Sequence, residues 1–203
     1  MKYKVDKYEV FNRGRTFTVL KFPHIENAWA FDDAPEEDQL MLDGCPKFMQ
    51  HVQHALAALI ENPNLIIYFP IKHPDEKEYG DNPMTYDAVI LQPELQFRRS
   101  DWLTLRRKLD QKHWKGKYTI HHDVEKLDDR CEKHCPKEYW FYRQLDKRKT
   151  EELRDETVFL VLPRELLYLY HSRITDGLNY FDPEKYEYGY PVGIGYIMPD
   201  RYK

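Results

Sequence analysis

Glycine and serine are scarce in this 203-residue chain, and their scarcity removes several classes of enzyme. With eight glycines, the sequence contains neither the Gly-x-Gly-x-x-Gly nor the Gly-x4-Gly-Lys-Ser/Thr pattern that cradles nucleotide phosphates. Its two serines, Ser100 and Ser172, lie outside any Gly-x-Ser-x-Gly nucleophile motif. The His-Glu-x-x-His pattern of zinc proteases is absent as well. P-loop, serine-hydrolase and zincin chemistries are therefore not expected.

Long apolar runs are also missing, and cysteines are few. The longest apolar run is the six residues 55–60, which is too short to cross a membrane. Residues 1–6 lack the apolar stretch that a signal peptide needs. Three cysteines are too few for a disulfide framework and fit a reducing compartment. We therefore expect a cytoplasmic protein without a membrane partner.

Hydrophobic periodicity predicts a mixed order of strands and helices. Residues 3–11 and 16–22 have strand character and predict a hairpin closed by residues 12–15, whereas the acidic stretch 26–43 predicts a loop. The apolar residues of 46–61 recur at helical spacing behind Pro46, a favoured first helical residue. Consecutive apolar residues at 65–69 and 88–91 predict strands buried on both faces. Further strands are expected at 118–120 and 157–162, and further helices at 101–112, after Pro136, and from Pro163 to about residue 172.

This order predicts a single compact α+β domain over residues 1–203, with a mixed sheet and three to four helices. The segment 176–203 is rich in tyrosine and could be a C-terminal extension with an interaction surface, or ordinary packed loops. His51 and His54 are expected at the surface of the helix over 46–61, because His51 lies at the edge of its apolar stripe and His54 opposite it.

Charge is strongly segregated along the chain. Residues 98–117 carry eight Lys and Arg and two Asp, a net charge of +6, although the whole chain carries −4. Phosphate neutralisation together with aromatic stacking is the physical basis of single-stranded nucleic-acid binding. The alternative is a solvated helix whose tryptophan faces the core. The candidate nucleic-acid-binding residues are Arg98, Arg99, Arg106, Arg107, Lys108, Lys112, Trp114, Lys115 and Lys117.

A second group of residues has zinc-ligand chemistry. Thiolates with nearby imidazoles are the ligands that zinc selects, but the spacing between the two cysteines is marginal for a structural site. The alternative is an exposed histidine and a cysteine that simply precedes a helix. We therefore expect no cofactor, with zinc as the alternative at His121, His122, Cys131, His134 and Cys135.

A third pattern is compatible with a magnesium-dependent nuclease. Asp87 precedes an apolar strand and Glu94 follows it, and a metal nuclease needs carboxylates that hold the cation against the scissile phosphate. His121 or His122 would then be the general base. The spacing of seven residues is short for two carboxylates on adjacent strands, so Asp87 could equally be a strand-end residue.

The leading hypothesis is a non-enzymatic protein that binds a nucleic acid, or a nucleic-acid-handling protein, through residues 98–118. A metal-dependent phosphodiesterase or nuclease is the first alternative. The second is an interaction or inhibitor protein that uses acidic and tyrosine-rich surfaces. Segregated charge also allows a homodimer in which the basic segment meets an acidic loop of a second copy.

Overall fold

Two strands made entirely of buried residues form the centre of a seven-stranded sheet. Leu65–Phe69 and Asp87–Leu91 are buried at every position. Apolar side chains follow one another along these strands because both faces of the sheet are covered. The sequence prediction of doubly buried strands at these positions is confirmed.

The computed structural model describes residues 2–25, 28–34, 39–71, 86–111, 116–123, 126–127, 129–130, 151–154, 157–179 and 194–195. Its strands are β1 (Lys2–Asn12), β2 (Arg15–Lys21), β3 (Ala28–Ala34), β4 (Gln39–Gly44), β5 (Leu65–Phe69), β6 (Asp87–Leu91), β7 (Lys117–His121), β8 (Glu151–Arg154), β9 (Thr157–Val161) and β10 (Ile194–Gly195). Its helices of ten or more residues are α1 (Pro46–Glu61), α2 (Trp102–Gln111) and α3 (Arg164–Asn179).

The main sheet is mixed, in the order β7-β1-β2-β5-β6-β9-β8. Two neighbouring pairs, β2 with β5 and β6 with β9, are parallel, and the other pairs are antiparallel. A smaller sheet has the order β10-β4-β3. Hairpins and crossover connections are thus combined in one sheet, which is the α+β architecture expected from the sequence.

Helices cover both faces of the main sheet. On one face α1 and α3 pack together over side chains such as Leu20, Ile67 and Ile90. On the other face α2 packs through Trp102 and Leu105 onto side chains such as Val10. No helix in the described part of the chain is long and apolar enough to cross a membrane.

The prediction of a loop over residues 26–43 is wrong, because this stretch contains the antiparallel pair β3 and β4. Ala28, Ala30 and Leu42 are buried against the core that contains α1. The small apolar area of alanine conceals the two-residue period, and alanine is depleted in strands. Acidic composition therefore hides a hairpin in this segment.

The expected surface position of His51 and His54 is also wrong, because both side chains are buried. Every residue of α1 from Phe48 to Ile60 except Gln50 is buried. Contacts with α3, β4, β5 and β7 surround α1, so it has no broad solvent face. A helical wheel that assumes one apolar face misplaces the histidines of such a helix.

The described residues test only part of the predictions for the C-terminal segment. Helix α3 continues to Asn179, so residues 176–179 belong to it rather than to an extension. Ile194 and Gly195 pair with β4. The tyrosines Tyr180, Tyr186, Tyr188, Tyr190 and Tyr196 lie outside the described residues, as do residues 131–150 with the helix expected after Pro136.

Candidate functional site

The turn between β1 and β2 presents two arginines to solvent. Asn12 pairs with Arg15, which leaves Arg13 and Gly14 as the central residues of a two-residue turn. Both have positive φ, 47° at Arg13 and 81° at Gly14, as a type I′ hairpin turn requires. Arg13 and Arg15 are exposed. The turn therefore places two guanidinium groups at the tip of a twisted hairpin.

Replacement of Gly14 by alanine should destabilise the protein through its backbone. A Cβ at this position would meet no atom within 4 Å, so the cost arises from the positive φ alone. We expect Gly14→Ala to lower the free energy of unfolding by about 1 kcal/mol, measured by urea denaturation. Thr16→Ala, at an exposed position of the same hairpin, is the control. Equal stability of the two variants would contradict the turn assignment.

Four contacts attach this hairpin to α2 and the segment before it. Arg13 Nη2 lies 3.0 Å from Asp101 Oδ1. Lys108 Nζ donates to the carbonyl oxygen of Phe11 at 3.0 Å and to Asn12 Oδ1 at 3.1 Å. Arg15 Nη2 donates to the carbonyl oxygen of Leu95 at 3.1 Å. The fold thus brings the arginines of the turn beside the basic segment, although about ninety residues separate the two in sequence.

We group the cations of this turn with the cations of residues 98–108 other than Arg106, and call them the hairpin–α2 surface. All of its cationic side chains are exposed or half-buried, and Asp101, which pairs with Arg13, is buried. The surface therefore has a strong positive character even though the chain as a whole is acidic. Its members are Arg13, Arg15, Arg98, Arg99, Arg107 and Lys108.

The sequence prediction missed Arg13 and Arg15. The sequence does predict that both arginines lie in or beside a turn, because Asn-Arg-Gly-Arg between two strand patterns predicts a hairpin. Their position beside α2 depends on tertiary contacts that no local pattern encodes. The other four members of the surface are among the predicted nucleic-acid-binding residues.

Arg106 has a different environment from the other predicted contact residues. Its Nη2 lies 3.1 Å from Oδ2 of Asp87, a carboxylate that is 2% exposed. Tyr68 Oη donates to the same carboxylate at 2.9 Å, and the backbone N–H of Ile71 donates to it at 3.0 Å. Arg106 is therefore the counter-ion of a buried carboxylate, and its removal would perturb the fold.

The remaining predicted contact residues are divided between two locations. Lys117 begins β7 and forms an ion pair with Asp6. Asp6 lies six residues along β1 from Asn12, which is roughly 20 Å in an extended strand. Lys117 is therefore not part of the hairpin–α2 surface. Lys112, Trp114 and Lys115 lie outside the described residues.

Trp102, the tryptophan of the basic segment that the structure describes, belongs to the core. Trp102 is fully buried and donates from Nε1 to Thr157 Oγ1 at 3.0 Å. Its ring contacts those of Tyr68 and Phe159 at centroid distances of 5.1 and 5.9 Å. Trp102 therefore anchors α2 to the sheet, as the alternative sequence interpretation expected.

A chain of three buried imidazoles lies on the opposite face of the sheet. Nδ1 of His54 on α1 lies 2.9 Å from Nδ1 of His122, which follows β7. Nε2 of His122 lies 2.8 Å from Nε2 of His171 on α3. Because a neutral imidazole has one donor and one acceptor nitrogen, His122 donates to one neighbour and accepts from the other. We call these three residues the histidine chain.

The surroundings of the histidine chain disfavour positive charge. Burial, the largest cause, and the neighbouring imidazoles together lower the pKa of His54 to about 4 and that of His171 to about 3. Burial also lowers the pKa of His122. Next to the chain, His51 Nε2 lies 3.1 Å from Tyr3 Oη, and burial lowers the pKa of His51 to about 4. These histidines are neutral at pH 7.

The histidine chain differs from the zinc group suggested by the sequence. His121 is exposed and His122 is buried, so the two adjacent imidazoles lie in different environments. The two nitrogens of His122 face two different partners, so the three imidazoles do not converge on one point. Among the described residues, no group of three His, Cys, Asp or Glu side chains could hold a metal ion. Cys131, His134 and Cys135 lie outside those residues.

The carboxylates considered for a nuclease are not brought together. Asp87 begins β6, and Glu94 lies in a short 3-10 turn beyond the other end of that strand. Five strand residues span roughly 16 Å, which is too far for two carboxylates to share one cation. The donors around Asp87 assign this side chain a structural role at the start of β6.

Comparisons with protein-family models, with curated proteins and with solved structures find no match to this chain.

Proposed function

We propose that this protein binds nucleic acid through the hairpin–α2 surface. The observation that carries the proposal is the convergence of arginines from the β1–β2 turn with the cations of residues 98–108. Two separate segments supply charge of one sign to one surface of an otherwise acidic chain. Such a local field attracts a polyanion and accelerates its association.

The chemistry of the side chains agrees with phosphate as the partner group. Five of the six cations are arginines, whose planar guanidinium can donate two parallel hydrogen bonds to phosphate oxygens. Arg98 and Arg107 are exposed and point away from the core. Binding requires no rearrangement of the fold at these two positions, so they are the residues to change first.

The experiment is a fluorescence-anisotropy titration of labelled single-stranded DNA, duplex DNA and RNA at about 50 and 200 mM salt. We expect binding that weakens steeply with salt. Arg98→Glu with Arg107→Glu should remove two phosphate contacts, lower the salt slope by about two and weaken binding at least about tenfold. Arg106 is left unchanged because it neutralises Asp87.

A matched control changes the same net charge elsewhere. Lys47 at the start of α1 and Lys126 are exposed, and neither belongs to the hairpin–α2 surface. Lys47→Glu with Lys126→Glu should affect binding only weakly through long-range charge. Equal losses in both double variants, or no binding by the unmodified protein at the lower salt concentration, would contradict the proposal. If the unmodified protein binds no nucleic acid, an acidic protein becomes the expected partner of the basic surface.

A further inference from the structure

The most exposed large apolar side chain in the described structure lies on β1, next to the turn of the hairpin–α2 surface. Phe11 is 60% exposed and comes directly before the turn. The next such side chain, Leu103, is 39% exposed and lies on α2. A single exposed apolar residue is ordinary, but Phe11 adjoins the turn that carries Arg13, and Leu103 lies on α2, which carries Arg107 and Lys108.

The pleat of β1 sets the direction of the Phe11 side chain. Successive strand residues point to opposite faces, and Val10 is buried in the core beneath α2. The ring of Phe11 therefore lies on the opposite face of the hairpin from α2, while its carbonyl oxygen accepts from Lys108. Its cross-strand partner Thr16 is exposed. The acid two residues away on that face, Glu9, is paired with Lys7 at 3.0 Å.

We propose that Phe11 is a stacking platform for an unpaired base, which makes single-stranded nucleic acid the preferred ligand of the hairpin–α2 surface. This inference rests on the proposed function. Aromatic rings beside a cationic track are the common device of single-strand binding, because every base has a face that can stack on them. Phe11 supplies the exposed ring that the buried Trp102 cannot supply.

The arrangement of the surface favours a flexible strand over flat or rigid partners. The cations of α2 and the ring of Phe11 lie on opposite faces of the hairpin, and the tip with Arg13 and Arg15 lies between them. A single strand can pass around this tip, with phosphates on the arginines and a base on Phe11. A duplex keeps its bases stacked within the helix, and a lipid bilayer is flat, so neither can contact both faces together.

The test compares Phe11→Ala, Phe11→Leu and Phe11→Tyr with the unmodified protein. Phe11→Ala should weaken binding of single-stranded DNA or RNA about 5- to 150-fold, the range expected for one stacked base. Duplex binding should be unchanged. Phe11→Tyr should retain full affinity for single strands because it keeps the ring. Phe11→Leu should weaken single-strand binding nearly as much as Phe11→Ala, because leucine keeps a similar apolar area but has no ring to stack. Thermal unfolding should be the same in all four proteins because Phe11 is exposed.

The outcomes separate this inference from the proposed function. If the unmodified protein binds no nucleic acid, the proposed function fails and the inference fails with it. If it binds and Phe11→Ala weakens single-stranded and duplex ligands equally, or weakens neither, the stacking role is wrong while the binding surface stands. Vesicles of anionic phospholipid are the third ligand class. Binding to them that is lost in Phe11→Ala, with no preference for single strands, would assign the ring to a membrane surface instead.

Discussion

Acidification should destabilise this protein well before its carboxylates are protonated. His51, His54, His122 and His171 are buried, and burial lowers the pKa of each in the folded state. In the unfolded chain they titrate near pH 6.5. Between about pH 6.5 and 4 the unfolded state therefore binds more protons than the folded state, so stability falls as the pH falls. This slope fades above pH 7 and is almost absent by about pH 8, where the unfolded histidines are also neutral.

The size of the effect follows from the number of protons taken up on unfolding. Each proton changes the free energy of unfolding by about 1.4 kcal/mol per pH unit, so four histidines can remove several kcal/mol between pH 6.5 and 5. Two nearby charges modify this. Lys47 lowers the pKa of His51 and so adds to the slope, whereas Asp123 raises the pKa of His122 and so reduces it. Urea unfolding at a series of pH values measures the slope directly.

A substitution of His122, the central imidazole of the histidine chain, tests whether the buried histidines cause this pH dependence of stability. His122→Gln keeps a donor and an acceptor between His54 and His171 but removes one titrating group. Because burial lowers the pKa of His122, its removal should make the slope of stability between pH 6.5 and 5 shallower, by at most about one proton. His121→Gln is the control, because the side chain of His121 is exposed and lies outside the histidine chain. A stability that stays constant from pH 7 to 5 would show that the buried imidazoles do not resist protonation.

Local sequence patterns predicted the helices and strands of this fold better than they predicted which polar side chains are buried. The helix over 46–61 and the strand over 65–69 have the predicted boundaries, since strong apolar periodicity and the Pro63 breaker leave little choice. The histidines of α1 could not be placed from the same pattern. Whether His54 faces water depends on α3 and β7, which are distant in sequence, and the hydrogen bonds of His122 are equally non-local.

The candidate site, too, was predicted by the sequence only in part. A run of like charges predicted four members of the hairpin–α2 surface, but it could not separate Arg107 from Arg106. These neighbours point in different directions around α2, and only Arg106 reaches the buried carboxylate. Adjacent helical residues lie about 100° apart, so Arg106 reaches the start of β6 while Arg107 faces solvent. A charge run alone therefore overstates the number of cations free to bind phosphate.

Removal of the Asp87 carboxylate should cause one of the largest losses of stability available by a single substitution. Tyr68 Oη, the N–H of Ile71 and the Arg106 guanidinium all donate to it. In Asp87→Ala the first two donors would be buried without this acceptor, and Arg106 would lose its counter-ion. We expect a cost of about 3–5 kcal/mol in the free energy of unfolding, measured by urea denaturation.

Two further variants separate charge from hydrogen bonding at this carboxylate. Asp87→Asn keeps one acceptor oxygen and should cost less than alanine, whereas Arg106→Ala should leave a buried carboxylate without its cation and cost more than a surface change. Asp110→Asn is the control on α2, since Asp110 is exposed and its ion pair with Lys21 is 4.0 Å long. It should change stability by no more than about 0.5 kcal/mol.

The same series distinguishes a structural Asp87 from a metal ligand. If the carboxylate served to hold a divalent cation, MgCl2 or MnCl2 would raise the thermal midpoint of the unmodified protein by mass action. Asp87→Ala would abolish that shift at little cost in the absence of the metal. We expect the reverse, because the carboxylate already accepts hydrogen bonds from Tyr68 and Ile71 and contacts the guanidinium of Arg106. Neither salt should shift the thermal midpoint, and Asp87→Ala should lose much of its stability without either salt. A loss confined to the metal-loaded protein would overturn the structural assignment and restore the phosphodiesterase hypothesis.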